Sequence, residues 1–253
     1  MLPRVTGFVL ALCLGLPTQA AAAEKLRCGM AEGFPPFQSL QQGVPAGFDV
    51  VVLQQVAQKA QFELELVAGH WDDIVARARL GQFDCVAGME ITPARQAWFE
   101  FSRPYYQRHG DVFVLQQSGR YRELGDLVGA IVAGDRDSVL ERELSARGIK
   151  KSIRVQETPS KEVSMRMLRD GEVAAVVMPD AVAYRLAAEL GIAIRPLQRI
   201  SLPGAPVALA VRRGNTGLLH RLDASLAGLL AGGQIGADWH KACPACGALP
   251  AVH

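Results

Sequence analysis

Between Leu26 and Met89, strand-like apolar runs alternate with segments of helical periodicity, and no other feature of the sequence constrains the fold as tightly. Leu26 to Met30 reads as a buried strand, and Gly33, Pro35 and Pro36 form the turn that follows it. Asp49 is placed to cap a helix running to about Ala60, with Val52, Val56 and Ala60 spaced four apart. Phe62 to Val67 gives a second strand. A helix from about Asp72 to Leu80 stops at Gly81, and Asp84 to Met89 gives a third strand. Such an order favours a parallel sheet covered by helices, with the useful loops at the carboxyl ends of the strands.

A second series of the same kind follows. Val112 to Leu115 reads as a strand that leads into a polar crossover at Gln116 to Gly119. Further strands fall near Ala130 to Ala133, Ile153 to Val155, Val173 to Met178 and Ile192 to Leu197. Between them, Ser138 and Glu141 form a capping-box pattern for a helix ending at Gly148, and two more helices end at Gly171 and Gly191. Pro203, Gly204 and Pro206 then lead into the strand Val207 to Val211 and a long helix carrying Leu219, Leu222, Leu226 and Leu229. The expected architecture is α/β with two lobes, each a mainly parallel sheet flanked by helices: residues 24–115 with 206–253 in one, 116–205 in the other. Two crossovers between two lobes make a hinge.

Residues 1–23 carry a positive charge at Arg4, an apolar run from Val9 to Leu16 and an alanine-rich end, the pattern of a cleavable secretory signal peptide. A periplasmic protein is expected. Of 27 lysines and arginines against 25 acids, this segment holds Arg4 alone, so the remainder is nearly neutral and offers no basic stripe for nucleic acid. Four cysteines remain beyond it. Cys28 and Cys85 sit in apolar runs and suit buried thiols as well as a bridge, while Cys243 and Cys246 are close enough for a local disulfide. A metal site using His240 with that pair is the lesser alternative, and a redox motif the least.

The chemistry concentrates in Ala87 to Tyr106, which reads AGMEITPARQAWFEFSRPYY. Thr92, Pro93 and Arg95 follow directly on a buried strand, where a turn exposes donors beside a guanidinium. An arginine fork matches two carboxylate oxygens and stays charged at every relevant pH. Among the alternatives, Asp180 reads first as a helix cap after Pro179, Ser138 as a cap, and Phe37 as core.

From Lys25 to Trp239 the sequence resembles the family 3 extracellular solute-binding proteins, the polar amino-acid receptors of bacterial ABC importers. The resemblance rests on Phe34-Pro-Pro-Phe37, Ala46-Gly-Phe-Asp49, Gly81-Gln-Phe-Asp84, the run from Ala87 to Arg95, Phe101, Ser102, Pro104 and Tyr105, Pro179-Asp180, Gly233 and Trp239. It implies a type II periplasmic-binding-protein fold that acts as a monomer, without a cofactor, and delivers a small amino-acid-like ligand to an ABC permease in the inner membrane. It also implies that Arg95 and Thr92 hold the ligand carboxylate, that Asp180 of the second lobe holds its ammonium, and that Phe34 and Trp71 line its side chain. Gly88, Glu90 and Ser138 complete the implied ligand-binding set. Glu90 stands where the family usually has a small residue, and Arg136, Asp137 and Ser138 replace its usual Gly-Thr. For Glu90 three roles stay open: pairing with Arg95, receiving a cationic group of the ligand, or pointing away. Exported cyclohexadienyl dehydratases resemble the same family, and in that alternative Glu90 is a proton donor. A periplasmic sensory module is the third possibility.

Overall fold

The computed structural model describes residues 23–134, 144–146, 148, 150–197, 204–244, 246 and 248–250. Residues 1–22 of the expected signal segment, together with Arg136, Asp137, Ser138 and Glu141, lie outside the described residues.

The first lobe is built on β1 (Glu24–Ala31), which pairs in parallel with both β5 (Phe62–Gly69) and β6 (Cys85–Glu90). A small antiparallel sheet of β2 (Gly33–Phe34), β3 (Gln38–Gln41) and β4 (Val44–Ala46) intervenes between β1 and the first helix. Helix α1 (Phe48–Lys59) buries Phe48, Val52, Leu53, Val56 and Ala57, and α2 (Trp71–Arg79) buries Ile74, Val75 and Ala78 on a separate cluster with Phe83, Met89 and Phe99. A strand covered on both faces has no solvent side to alternate with. Hence Cys28, Gly29, Met30 and Ala31 form an unbroken run of small and apolar residues.

After β6 the chain makes one helical turn, α3 (Pro93–Gln96), and then β7 (Phe99–Phe101) and β8 (Tyr106–Arg108). Val112 to Leu115, expected at the end of the first lobe, belongs to the second: β9 (Gly110–Leu115) pairs antiparallel with β12 (Ala175–Pro179). The crossover therefore falls at Arg108 to Gly110. The second sheet is completed by β10 (Ile131–Ala133) and β11 (Arg154–Gln156), parallel to one another, and by β13 (Ile194–Pro196) on β9. Helices α4 (Lys161–Asp170) and α5 (Asp180–Leu190) end at Gly171 and Gly191, both in the left-handed conformation that those glycines signalled.

The chain returns through β14 (Ala205–Arg212), which runs antiparallel to β6, β7 and β8. Its pairing of Ala205 with Arg108 and Val207 with Tyr106 lays the two crossovers side by side. Each of the two larger sheets thus has a parallel core extended by antiparallel strands. Helices α6 (Thr216–Ala231) and α7 (Gln234–Ala242) pack on α1. Trp239 of α7 stacks with Phe37, and Phe37 in turn with Tyr106, beside Phe48 and Tyr105. Cys28 and Cys85, opposite one another on β1 and β6, form a disulfide, as do Cys243 and Cys246.

Candidate functional site

A cavity of about 300 Å³ lies at the carboxyl ends of β1 and β6, walled by both lobes. Each wall follows from a local feature of the sequence. Beyond Glu90 the chain extends to Thr92, whose side-chain oxygen accepts the Arg95 N–H at 3.3 Å, and Pro93 opens the helical turn. One turn then carries Arg95 back over the end of β6, where only 5% of it is exposed. Its Nη1 donates to the Glu90 carbonyl at 3.2 Å and stands 3.6 Å from the Glu90 carboxylate, and the guanidinium lies 5.3 Å from the centre of the Trp71 ring.

Beneath this wall is a buried ionic centre around Asp49. The helix cap expected at Asp49 is instead Gly47, and Asp49 lies inside α1 with no exposed surface. Its carboxylate accepts hydrogen bonds from Gln38 Nε2 at 2.8 Å, Tyr105 Oη at 2.7 Å, Tyr106 Oη at 3.3 Å and Arg108 Nη2 at 2.9 Å. A buried carboxylate is tolerable only with its oxygens this fully engaged. The Arg108 guanidinium lies 4.8 Å from the ring centres of both Phe34 and Phe37. Burial works against its charge, but Tyr106, Asp49 and Glu90 more than offset this and hold its pKa above the ordinary value. Burial pushes the Tyr105 and Tyr106 hydroxyls well above the usual tyrosine range, with the Asp49 charge adding to it. Gly88, at φ +54°, covers this centre: a Cβ there would come 1.9 Å from Asp49 Oδ2.

The second lobe closes the cavity with Glu157 to Lys161. Ser160 caps α4 by accepting the Val163 N–H at 3.2 Å. Across the gap, His70 Nδ1 lies 3.1 Å from the Pro159 carbonyl oxygen and 3.0 Å from Glu32. Lys161 reaches back to the Val177 carbonyl at 3.3 Å. Among the described residues, five carboxylates line the cavity (Glu32, Asp72, Asp73, Glu90 and Glu157) against the three cations Arg95, Arg108 and Lys161, an excess of two negative charges.

Of the residues expected from the sequence, Arg95, Phe34, Trp71, Gly88 and Glu90 come together around this cavity. Thr92 does not line it and is fully buried beneath, with its oxygen engaged in the cap. Asp180 is not brought to Arg95. It is the first residue of α5, preceded by Pro179 as cap, and its N–H donates to the His109 carbonyl at 3.0 Å. Because β12 ends against Gly110, that bond ties α5 to the crossover and sets Asp180 in a different cavity, of about 850 Å³, with Asp111, Tyr184 and Trp239. Asp49 and Arg108 were missed. Their one sequence signal is the alternation Tyr106, Gln107, Arg108, which puts the arginine on the same buried strand face as a tyrosine.

Two α/β lobes joined by paired crossovers, with an ionic and aromatic cavity between them, define the architecture of periplasmic binding proteins. The chain belongs to the bacterial extracellular solute-binding proteins, family 3, whose pattern matches residues 26–240. It is 25% identical over 219 residues to ABC transporter arginine-binding protein 1 of Escherichia coli (strain K12), an alignment covering 85% of this chain and 88% of that protein. Among solved structures, a histidine kinase sensor domain with similarity to periplasmic binding proteins superposes with a TM-score of 0.80 at 26% identity, covering 90% of this chain and 99% of that one. An ancestral arginine-binding protein bound to arginine superposes at 0.77 with 27% identity, covering 86% and 97%. These relatives are binding and sensor proteins. The enzymatic alternative for Glu90 is therefore not supported, and the chain is a binding protein of this family.

Proposed function

We propose that this protein is a periplasmic receptor for a small, cationic, amino-acid-like solute, which it holds in the cavity between its lobes and delivers to an ABC permease of the inner membrane. The observation that carries this reading is the charge of the cavity, five carboxylates against three cations among the described residues, in a lining that also includes Phe34 and Trp71. Carboxylates at a partly desolvated mouth attract an ammonium or guanidinium, and an indole or phenyl face adds a cation–π contact. The arginine-binding relatives support the same ligand class. The leader-like composition of residues 1–23 supports export.

Phe34, Trp71, Gly88, Glu90 and Arg95 line the wall on the first lobe, and Glu157 to Lys161 the wall on the second. Ligand that touches both walls has higher affinity for the closed arrangement, and that difference drives closure. Isothermal calorimetry and thermal melting with a library of amino acids and related amines test the reading. A cationic member should raise the melting temperature, and Trp71→Ala should weaken its binding at least tenfold. Stabilisation by acidic or neutral members alone, with no response to cations at millimolar concentration, would overturn it.

A further inference from the structure

The arginine best placed to grip a ligand carboxylate is already paired with a carboxylate of the protein itself. Glu90 presents both its carbonyl and its carboxylate to Arg95: the carbonyl accepts from Nη1 at 3.2 Å, and Oε2 lies 3.6 Å from the same nitrogen. Its other carboxylate oxygen is 4.0 Å from Arg108 Nη1, so it spans two guanidiniums. This position is not a loose surface rotamer. Glu90 is the last residue of β6, held in register opposite Val207, and its side chain is only 16% exposed. Strand alternation sends Gly88 and Glu90 to the same face, and both line the cavity. The Trp71 ring lies against the Arg95 guanidinium, and the second arginine is committed to Asp49.

A ligand carboxylate seated on the Arg95 guanidinium would share it with the Glu90 carboxylate, 3.6 Å from Nη1, and so place two negative charges a few ångströms apart. In a partly screened cleft that repulsion alone weakens binding at least about tenfold. We infer that Glu90 stands in the place of a ligand carboxylate, and that the cleft selects small organic cations without an α-carboxylate, the amines and guanidines shaped like decarboxylated lysine or arginine. This deepens the reading of the cavity as a cation site and rests on it. Glu90 then acts twice, keeping Arg95 occupied and adding its own negative charge to the wall that the cation meets. Specificity comes from exclusion as well as attraction, since a zwitterion is penalised where its decarboxylated counterpart is not.

Calorimetry of the purified protein with four probes, arginine, agmatine, lysine and cadaverine, tests the inference in the wild type and in Glu90→Ser and Glu90→Gln. In the wild type each decarboxylated cation should bind at least tenfold more tightly than its parent amino acid. In both variants the ratio should collapse towards one or invert, as Arg95 becomes available to the amino-acid carboxylate. Should the variants fail to fold, as judged by circular dichroism, the wild-type ratio decides alone. Wild-type protein binding arginine or lysine as tightly as agmatine or cadaverine would overturn this inference and leave the cation-binding reading standing. Binding of none of the four would overturn both.

Discussion

Replacing Asp49 by asparagine should destabilise the protein by about 3–5 kcal/mol, the usual consequence of leaving one member of a buried ion pair without its partner. Asp49 has no exposed surface, and the Arg108 guanidinium that donates to it at 2.9 Å is only 7% exposed. Asparagine keeps the shape and one acceptor oxygen. It cannot supply the negative charge, nor two acceptor oxygens to the hydroxyls of Tyr105 and Tyr106 and the amide of Gln38. Against a typical domain stability of about 5–15 kcal/mol, the loss is a large fraction of the whole. Urea unfolding followed by far-ultraviolet circular dichroism should show a lower midpoint at unchanged slope. Adding Arg108→Met should recover at least half of the loss, because the stranded charge is then gone. A loss below about 1 kcal/mol in Asp49→Asn, or no recovery in the double variant, would show that the pair is not the keystone of this wall.

Gly88→Ala should cost about 2–4 kcal/mol in the same assay, from a left-handed backbone at φ +54° and a methyl driven against Asp49; a wild-type midpoint would refute the close approach. At the surface, burial pushes the Asp223 carboxyl up, but hydrogen bonds from the Arg103 guanidinium and backbone N–H more than offset this and hold its pKa below the usual carboxylate value. A carboxyl whose pKa is lowered by folding stabilises above the unfolded value of about 4 and loses that contribution as the pH falls through the folded one. Asp223→Asn should therefore lower stability by under about 1 kcal/mol at pH 7 and flatten its decline below about pH 4, because exposed pairs are worth little. Equal acid limbs in the two proteins would contradict this.

Much of the fold was legible because its signals are local. Glycines 171 and 191 end α4 and α5 where the chain must turn left-handed, and the apolar run at Cys28 to Ala31 marks a strand covered on both faces. Sheet membership is not local. Nothing within Val112 to Leu115 distinguishes a strand that closes the first lobe from one that opens the second, since the choice is made by Val176 and Val177, more than 60 positions away. The same holds for the site. Arg95 could be found because the turn at Thr92 and Pro93 and the strand before it fix its direction within a few residues, whereas Trp71 and Glu90 entered through the resemblance to the family. Asp49 read as a cap because its partners Gln38, Tyr105 and Arg108 come from three other segments. Asp180 was expected opposite Arg95, yet the bond from its N–H to His109 depends on how β12 and β9 end together. Of three roles open to Glu90, only side-chain geometry selects the pairing with Arg95.

The location of the binding site is tested most directly by hydrogen exchange of the protein with and without saturating agmatine or arginine. Ligand between the lobes should slow exchange in residues 69–75 and 88–96 of one wall together with 157–163 of the other, since closure orders both at once. Protection confined to residues 180–188 and 239–244, around the cavity that holds Asp180, would place the ligand elsewhere and contradict the account.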